Sequence, residues 1–153
     1  MKITTIALAL CLGFAPFTST IGAPQTIALK FQTVLTKTDF LIKARDTLPT
    51  ETDVTSFKYD DIRHTFSSYE NEFGITSTGK VTAKLQKIAE LVDSKKKISV
   101  EVTLGTKVLT TTPTDVHPGD PAEKKYAFTV KPKDGTYEDG TYKGDVVLVF
   151  DVG

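Results

Sequence analysis

Cysteine occurs once in this 153-residue chain, histidine twice and tryptophan not at all. The one cysteine, Cys11, lies in an apolar N-terminal stretch, so the rest of the chain has no thiol for a disulfide, a zinc site or a nucleophile. Stability must therefore come from apolar burial and backbone pairing. Charge of neither sign is in surplus: 19 Lys and Arg face 19 Asp and Glu. That balance argues against a partner of strong opposite charge, such as nucleic acid or an anionic membrane. The only compact charge run, Lys95-Lys96-Lys97, reads as a solvated turn. Long hydrophobic runs are also missing, because a membrane-spanning helix needs roughly 20 apolar residues and none is that long.

The N-terminus has the pattern of a secretory signal peptide. Lys2 supplies a positive start, Ile3–Phe17 an apolar middle, and Thr18–Ala23 a small and polar exit. Cleavage is expected after Gly22 or Ala23. A lipoprotein signal would need a small residue before Cys11, and Leu10 is not small. Removing Lys2 leaves 18 basic and 19 acidic residues, since residues 1–23 contain no carboxylate side chain. Roughly 130 residues remain, enough for one core of ordinary size.

That remainder is rich in Val, Ile, Thr, Phe and Tyr, which suit a pleated surface. Ile27–Thr33 alternates, with Ile27, Leu29 and Phe31 on one side and Lys30 and Gln32 on the other. Further strands are expected at 40–43, 54–59, 63–69, 80–85, 98–104, 106–111, 125–131 and 142–152. Turns are expected at Leu48-Pro49, Phe73-Gly74, Thr78-Gly79, His117–Pro121 and Lys133–Gly135. Many short strands with such punctuation predict a one-domain sandwich or barrel. Leu85, Ile88, Leu91 and Val92 fall near helical spacing and predict a helical turn or short helix joining two strands.

The last strand places Tyr142, Val146, Leu148, Phe150 and Val152 on one face and Lys143, Asp145 and Asp151 on the other. It runs to residue 153, and no later strand is expected beside it. With alternating apolar strands at both ends, two arrangements follow. The N-terminal strand completes the sheet of another molecule, or both strands pair within one complete sandwich. An exposed apolar edge is otherwise a liability.

Catalytic patterns are weak. Asp60, Asp61, His64, Ser67 and Ser68 lie close in sequence, but residues on one strand alternate faces and a triad requires geometry that this spacing does not supply. No Gly-x-Ser-x-Gly elbow accompanies either serine. His64 reads as a solvated rim residue. His117, with Asp115, Asp120 and two prolines, reads as a plain turn, with no partner His or Cys to make a metal site. Gly135, Gly140 and Gly144 serve strands and turns, none opening a helix for phosphate. No enzyme, metal or cofactor is expected.

Four segments carry a family resemblance. Ile27–Thr33 with Thr38–Ile42 and Leu48-Pro49 forms the opening. Lys80–Leu85 and Ala89–Val92 form the middle. Ile98–Thr112 reads as a hairpin with a Gly turn and a Thr-rich end, and Asp139–Phe150 closes the chain with Gly-x-Tyr-x-Gly and an apolar strand. Together they resemble the alpha-type chaperone–usher (class five, colonisation-factor) fimbrial major subunits. Residues 57–73 and the short stretch 116–125 do not align with that pattern.

The resemblance implies an all-β fold: an immunoglobulin-like β-sandwich lacking its final strand, completed by donor-strand exchange. It divides the chain into signal peptide (1–23), donor-strand extension (24–35) and pilin body (36–153). The donor residues would be Ile27, Leu29, Phe31 and Thr33. The acceptor groove, which also pairs with the chaperone, would include Val146, Leu148, Phe150 and Val152. Implied partners are identical subunits in a head-to-tail polymer, a periplasmic chaperone, an outer-membrane usher and a minor tip adhesin. The implied location is a cell-surface fimbria reached through the periplasm. The alternative is a self-contained secreted or periplasmic β-sandwich binding protein; a weaker third reading is a small hydrolase using His64.

Overall fold

The computed structural model describes the backbone of residues 6–7, 26–35, 40–46 and 55–153, and the side chains of 41–46 and 55–153. The described residues form thirteen strands. They are β1 (Ile6–Ala7), β2 (Thr26–Leu35), β3 (Phe40–Ala44), β4 (Thr55–Asp60), β5 (Thr65–Phe66), β6 (Tyr69–Ser77) and β7 (Val81–Leu85), followed by β8 (Glu90–Asp93), β9 (Lys96–Leu104), β10 (Lys107–Val108), β11 (Thr114–His117), β12 (Lys124–Pro132) and β13 (Lys143–Val152).

They make two sheets. One runs β3-β6-β12-β9, with β10 folded back on β9. The other runs β11-β7-β13-β2-β4, with β8 beside the start of β13 and β5 beyond β4. The long strand β9 belongs to both: Lys96–Ser99 pair with β8, and Val100–Leu104 pair with β12. The chain thus changes sheets in mid-strand and closes one side of the sandwich.

Period-two patterning drives these strands inward on one face only. In β9, Ile98, Val100, Val102 and Leu104 are buried, while Lys97, Ser99 and Glu101 between them are exposed. In β12, Phe128 and Val130 are buried, and in β7 Val81, Ala83 and Leu85. The two sheets meet through phenylalanines. Phe73 of β6 packs edge-on against Phe128 of β12, with centroids 4.9 Å apart, and reaches Phe150 of β13 across the sandwich at 6.3 Å. Such aromatic pairs add about 0.5–1.5 kcal/mol beyond area burial.

Two tyrosines shape the approach to β13. The Tyr137 hydroxyl donates to the Lys133 carbonyl at 2.9 Å, and the Tyr142 hydroxyl donates to the Glu138 carbonyl at 2.9 Å. Each closes a loop of four residues, the geometry of a tyrosine corner at a sandwich edge. Tyr142 is fully buried, so its hydroxyl needs that partner. At the same end Gly144 lets β8 cross close over β13, because a Cβ there would collide with the Glu90 carbonyl. Glycine inside a strand often marks such a backbone approach.

The structure departs from the sequence expectations at six places. The strand expected over 63–69 is broken by the turn Asp61–His64, where Asp60 Oδ1 accepts from the Ile62 and Arg63 amides at 3.0 Å each. Phe73-Gly74, expected as a turn, lies inside β6, paired with both β12 and β3. The expected helix over 85–92 is a bend followed by β8: Leu91 and Ala89 are buried but Ile88 is 69% exposed, an arrangement that serves a strand end. The strand expected over 106–111 is only β10. Lys96 and Lys97 belong to β9, leaving Lys95 in the turn. His117 ends β11 instead of starting a loop. The expectation at Leu48-Pro49 lies outside the described residues.

Gly144→Ala should lower stability by about 1–3 kcal/mol, the usual cost of overpacking, and Tyr142→Phe by about 1 kcal/mol for the lost hydroxyl bond. Urea unfolding of both variants, read by tyrosine fluorescence or far-ultraviolet dichroism, checks the order.

Candidate functional site

Strand β13 is held on one side by β7 over Leu148–Val152 and by β8 at Lys143. Its residues Val146, Leu148, Phe150 and Val152 are all buried. On its other side lies β2. Eight register pairs join them, from Lys143 beside Ala28 to Phe150 beside Leu35. The far side of β2 pairs with β4, from Thr26 opposite Lys58 to Leu29 opposite Thr55. β2 thus fills a lane between β13 and β4, and the body from residue 40 onward lacks a strand at that place without it.

The ladder between β2 and β13 is parallel, unlike every other ladder among the described residues. Parallel pairing is slightly weaker per residue than antiparallel. In this register Leu29 stands beside Gly144, Phe31 beside Val146 and Thr33 beside Leu148, while Ile27 stands opposite Phe57 of β4. The structure therefore brings the expected donor segment and the expected acceptor face together within one chain, which is the second of the two arrangements the pattern allowed. The side chains of Ile27, Leu29, Phe31 and Thr33 lie outside the described residues. The expected signal peptide also lies outside them, except that Ile6 and Ala7 pair with Leu35 and Val34.

Residues unmarked by the sequence reading secure the lane's surroundings. Asn71 of β6 is buried; its Nδ2 donates to the Asp46 carbonyl at 3.3 Å and its Oδ1 accepts from the Asp46 amide at 3.2 Å, holding the chain where it leaves β3. Asp93 Oδ2 accepts from the Thr141 amide at 3.0 Å and pins the approach to β13. Asp134 accepts from Lys131 Nζ at 2.6 Å and from the Phe66 amide at 2.9 Å, which ties the loop after β12 to β5. Those two bonds, the lysine first, hold the Asp134 carboxyl below the usual carboxylate range. Only a buried polar residue on an inward face, such as Asn71, offers a signal to a sequence reader.

The histidines take other roles. His64 is exposed, with φ of 53°, and its Nδ1 faces the Tyr59 hydroxyl at 3.1 Å. Ser67 Oγ accepts from the Lys58 amide at 2.8 Å and Ser68 Oγ donates to Glu70 at 3.0 Å, so these groups do not assemble a triad with His64. His117 corrects the plain-turn expectation, because it is buried. Its Nε2 lies 3.0 Å from the Asp120 amide nitrogen and 3.1 Å from the Asp120 carbonyl, and its Nδ1 lies 3.0 Å from the Tyr126 hydroxyl. A separate groove of about 640 Å³ is lined by Leu85, Ile88, Val100, Val108 and Leu109. On its rim Lys131 and Asp134 pair with each other.

A small two-sheet, all-β domain in which β2 of the same chain pairs along β13 is the class of protein that fold and lane define. The chain belongs to the CS1-type fimbrial major subunit family, whose model matches residues 24–151. It is thus a subunit of a cell-surface fimbria, from a family of proteins that self-polymerise into fibres. No curated protein sequence matches it. Among solved structures, the CooA pilin subunit from enterotoxigenic Escherichia coli is similar with a TM-score of 0.42 and 12% identity, over 60% of this chain and 84% of that one.

Because the folded-state pKa of Asp134 is depressed, its contribution is present above the ordinary carboxylate value and is lost as pH falls through the folded value. Asp134→Asn should therefore cost about 1 kcal/mol at neutral pH, a modest figure for a half-exposed group. The gap from wild type should close in acid, as measured by denaturant midpoints across pH.

Proposed function

We propose that this chain is the repeated shaft subunit of an adhesive fimbria, joined to its neighbours by exchange of β2. Residues 1–23 direct export and are removed, and residues 24–35 act as the donor strand for the body 36–153. The observation that carries this reading is the lane itself. Withdrawing β2 exposes an unpaired backbone edge on both β13 and β4 beside a buried apolar wall, and such an edge accepts a strand from another chain. Ile27, Leu29 and Phe31 would each contribute about 1.5–3 kcal/mol on burial, offset in part by the ordering of the donor segment.

A periplasmic chaperone would hold the emptied lane with a strand of its own, and an outer-membrane usher would replace that strand with β2 of the next subunit. A minor tip adhesin would cap the fibre. One observation favours the self-contained binding module instead, namely that β2 is already seated in its own chain.

Deleting residues 24–33 separates the two readings. Exchange requires that fibres vanish, and that a synthetic peptide of residues 24–35 then binds the truncated body stoichiometrically. Fibres that persist after the deletion would end the exchange reading. In the full chain, Leu148→Asp should abolish fibre formation by placing a charge on the buried wall, checked by electron microscopy of the cell surface.

A further inference from the structure

We propose that the groove beside β9 receives the Asp60–His64 turn of a second copy of this chain, with Ile62 as the inserted side chain. The inference rests on the fibre reading above, adds a second contact between subunits to it, and does not involve β2. The groove exists because β9 changes sheets. At Val100 the amide donates to the Ala89 carbonyl at 2.9 Å, and at Val102 the carbonyl accepts from the Leu109 amide at 2.8 Å. Between those anchors the chain before β8 and the chain after β10 part, leaving a space of about 640 Å³. Leu85, Val100 and Leu109 are buried in its lining, while Ile88 and Val108, one from each diverging segment, are 69% and 52% exposed. Large apolar side chains left in water beside an apolar hollow mark a contact surface.

A matching knob lies elsewhere on the same chain. Ile62 is 93% exposed, more than any other large apolar residue among those described. It is also held still. Asp60 Oδ1 accepts from the Ile62 and Arg63 amides at 3.0 Å each, an arrangement that fixes a turn. His64, with φ of 53°, is tied by its carbonyl to the Gly135 amide at 2.9 Å. A non-glycine residue keeps such a backbone only where its surroundings impose it, and a turn shaped in advance loses little freedom on docking. Charge matches as well. Ile62 sits between Asp61 and Arg63, and the groove's edge carries Lys133 and Glu101. Among the described residues Asp61, Lys133 and Glu101 form no ion pair, and Arg63 forms only a long one of 3.5 Å with Asp60. Asp61 set against Lys133, and Arg63 against Glu101, would orient the seated turn. Turn and groove are different surfaces, so a docked pair keeps one of each free and the contact repeats along a fibre.

Engineered cysteines test this in intact cell-surface fibres, in the full chain with Cys11→Ser to remove the native thiol. Copies carrying only I62C and copies carrying only I88C are expressed together. A short bis-thiol reagent should join them into mixed pairs on denaturing gels, and fibres of either kind alone should give no such product. Asp61→Lys in the I62C copies should lower the yield about two- to fivefold, the scale of an exposed ion pair, and Lys133→Asp in the I88C copies should restore it. Ile62, Ile88, Asp61 and Lys133 are all exposed, so these variants keep the fold. Fibres in which the mixed pair does not join, in which I62C copies join one another as readily, or in which the charge swap restores nothing would overturn the groove contact and leave strand exchange standing. Should deletion of residues 24–33 leave fibres intact, exchange falls, and mixed pairs joined in those fibres still uphold the groove contact.

Discussion

A strand edge beside an apolar wall must be covered, and that requirement organises this protein. Backbone N–H and C=O groups left unpaired in a half-buried place carry a penalty comparable to lost hydrogen bonds. β13 meets it on one side with β7 and β8 and on the other with β2. The first set is antiparallel and belongs to the body. The second is β2, which among the described residues pairs with the later strands along β13 and β4. An edge that is covered by strand pairing is also one that can accept a strand from another chain.

The remainder of the structure makes the lane rigid enough to be specific. Phe73, Phe128 and Phe150 join the two sheets through edge contacts, so the wall behind the lane is also the centre of the core. β9 ties the sheets together by serving both. The corner tyrosines and Gly144 set the angle at which β13 begins, and Asn71 fixes the chain just beyond β3. With no cysteine beyond Cys11, these contacts carry the stability that a disulfide supplies in many exported domains.

Much of this was legible in the residues. Alternation in β7, β9 and β12 announced both the strands and their inward faces, because a half-buried sheet imposes period two on sequence, whereas β13 is apolar throughout Val146–Phe150 and buries Val147 as well. The reading failed where local signals competed with tertiary ones. Phe73-Gly74 looks like a turn to a rule that treats glycine as punctuation, yet β3 and β12 flank it and hold it straight. The spacing of Leu85, Ile88 and Leu91 suggests a helix, but Ile88 faces solvent while β8 pairs with β9. His117 sits among turn-forming residues, and only the approach of Tyr126 from β12 buries it.

The residues alone determined an all-β chain with an apolar strand at each end and a last strand whose even-numbered face is core, since those properties depend on composition and period. Which strand lies beside β13, and in which direction, was decided only by the tertiary structure. Residues far apart in sequence must be brought together for a ladder to exist, and an alternating strand satisfies the same wall whether it runs up or down.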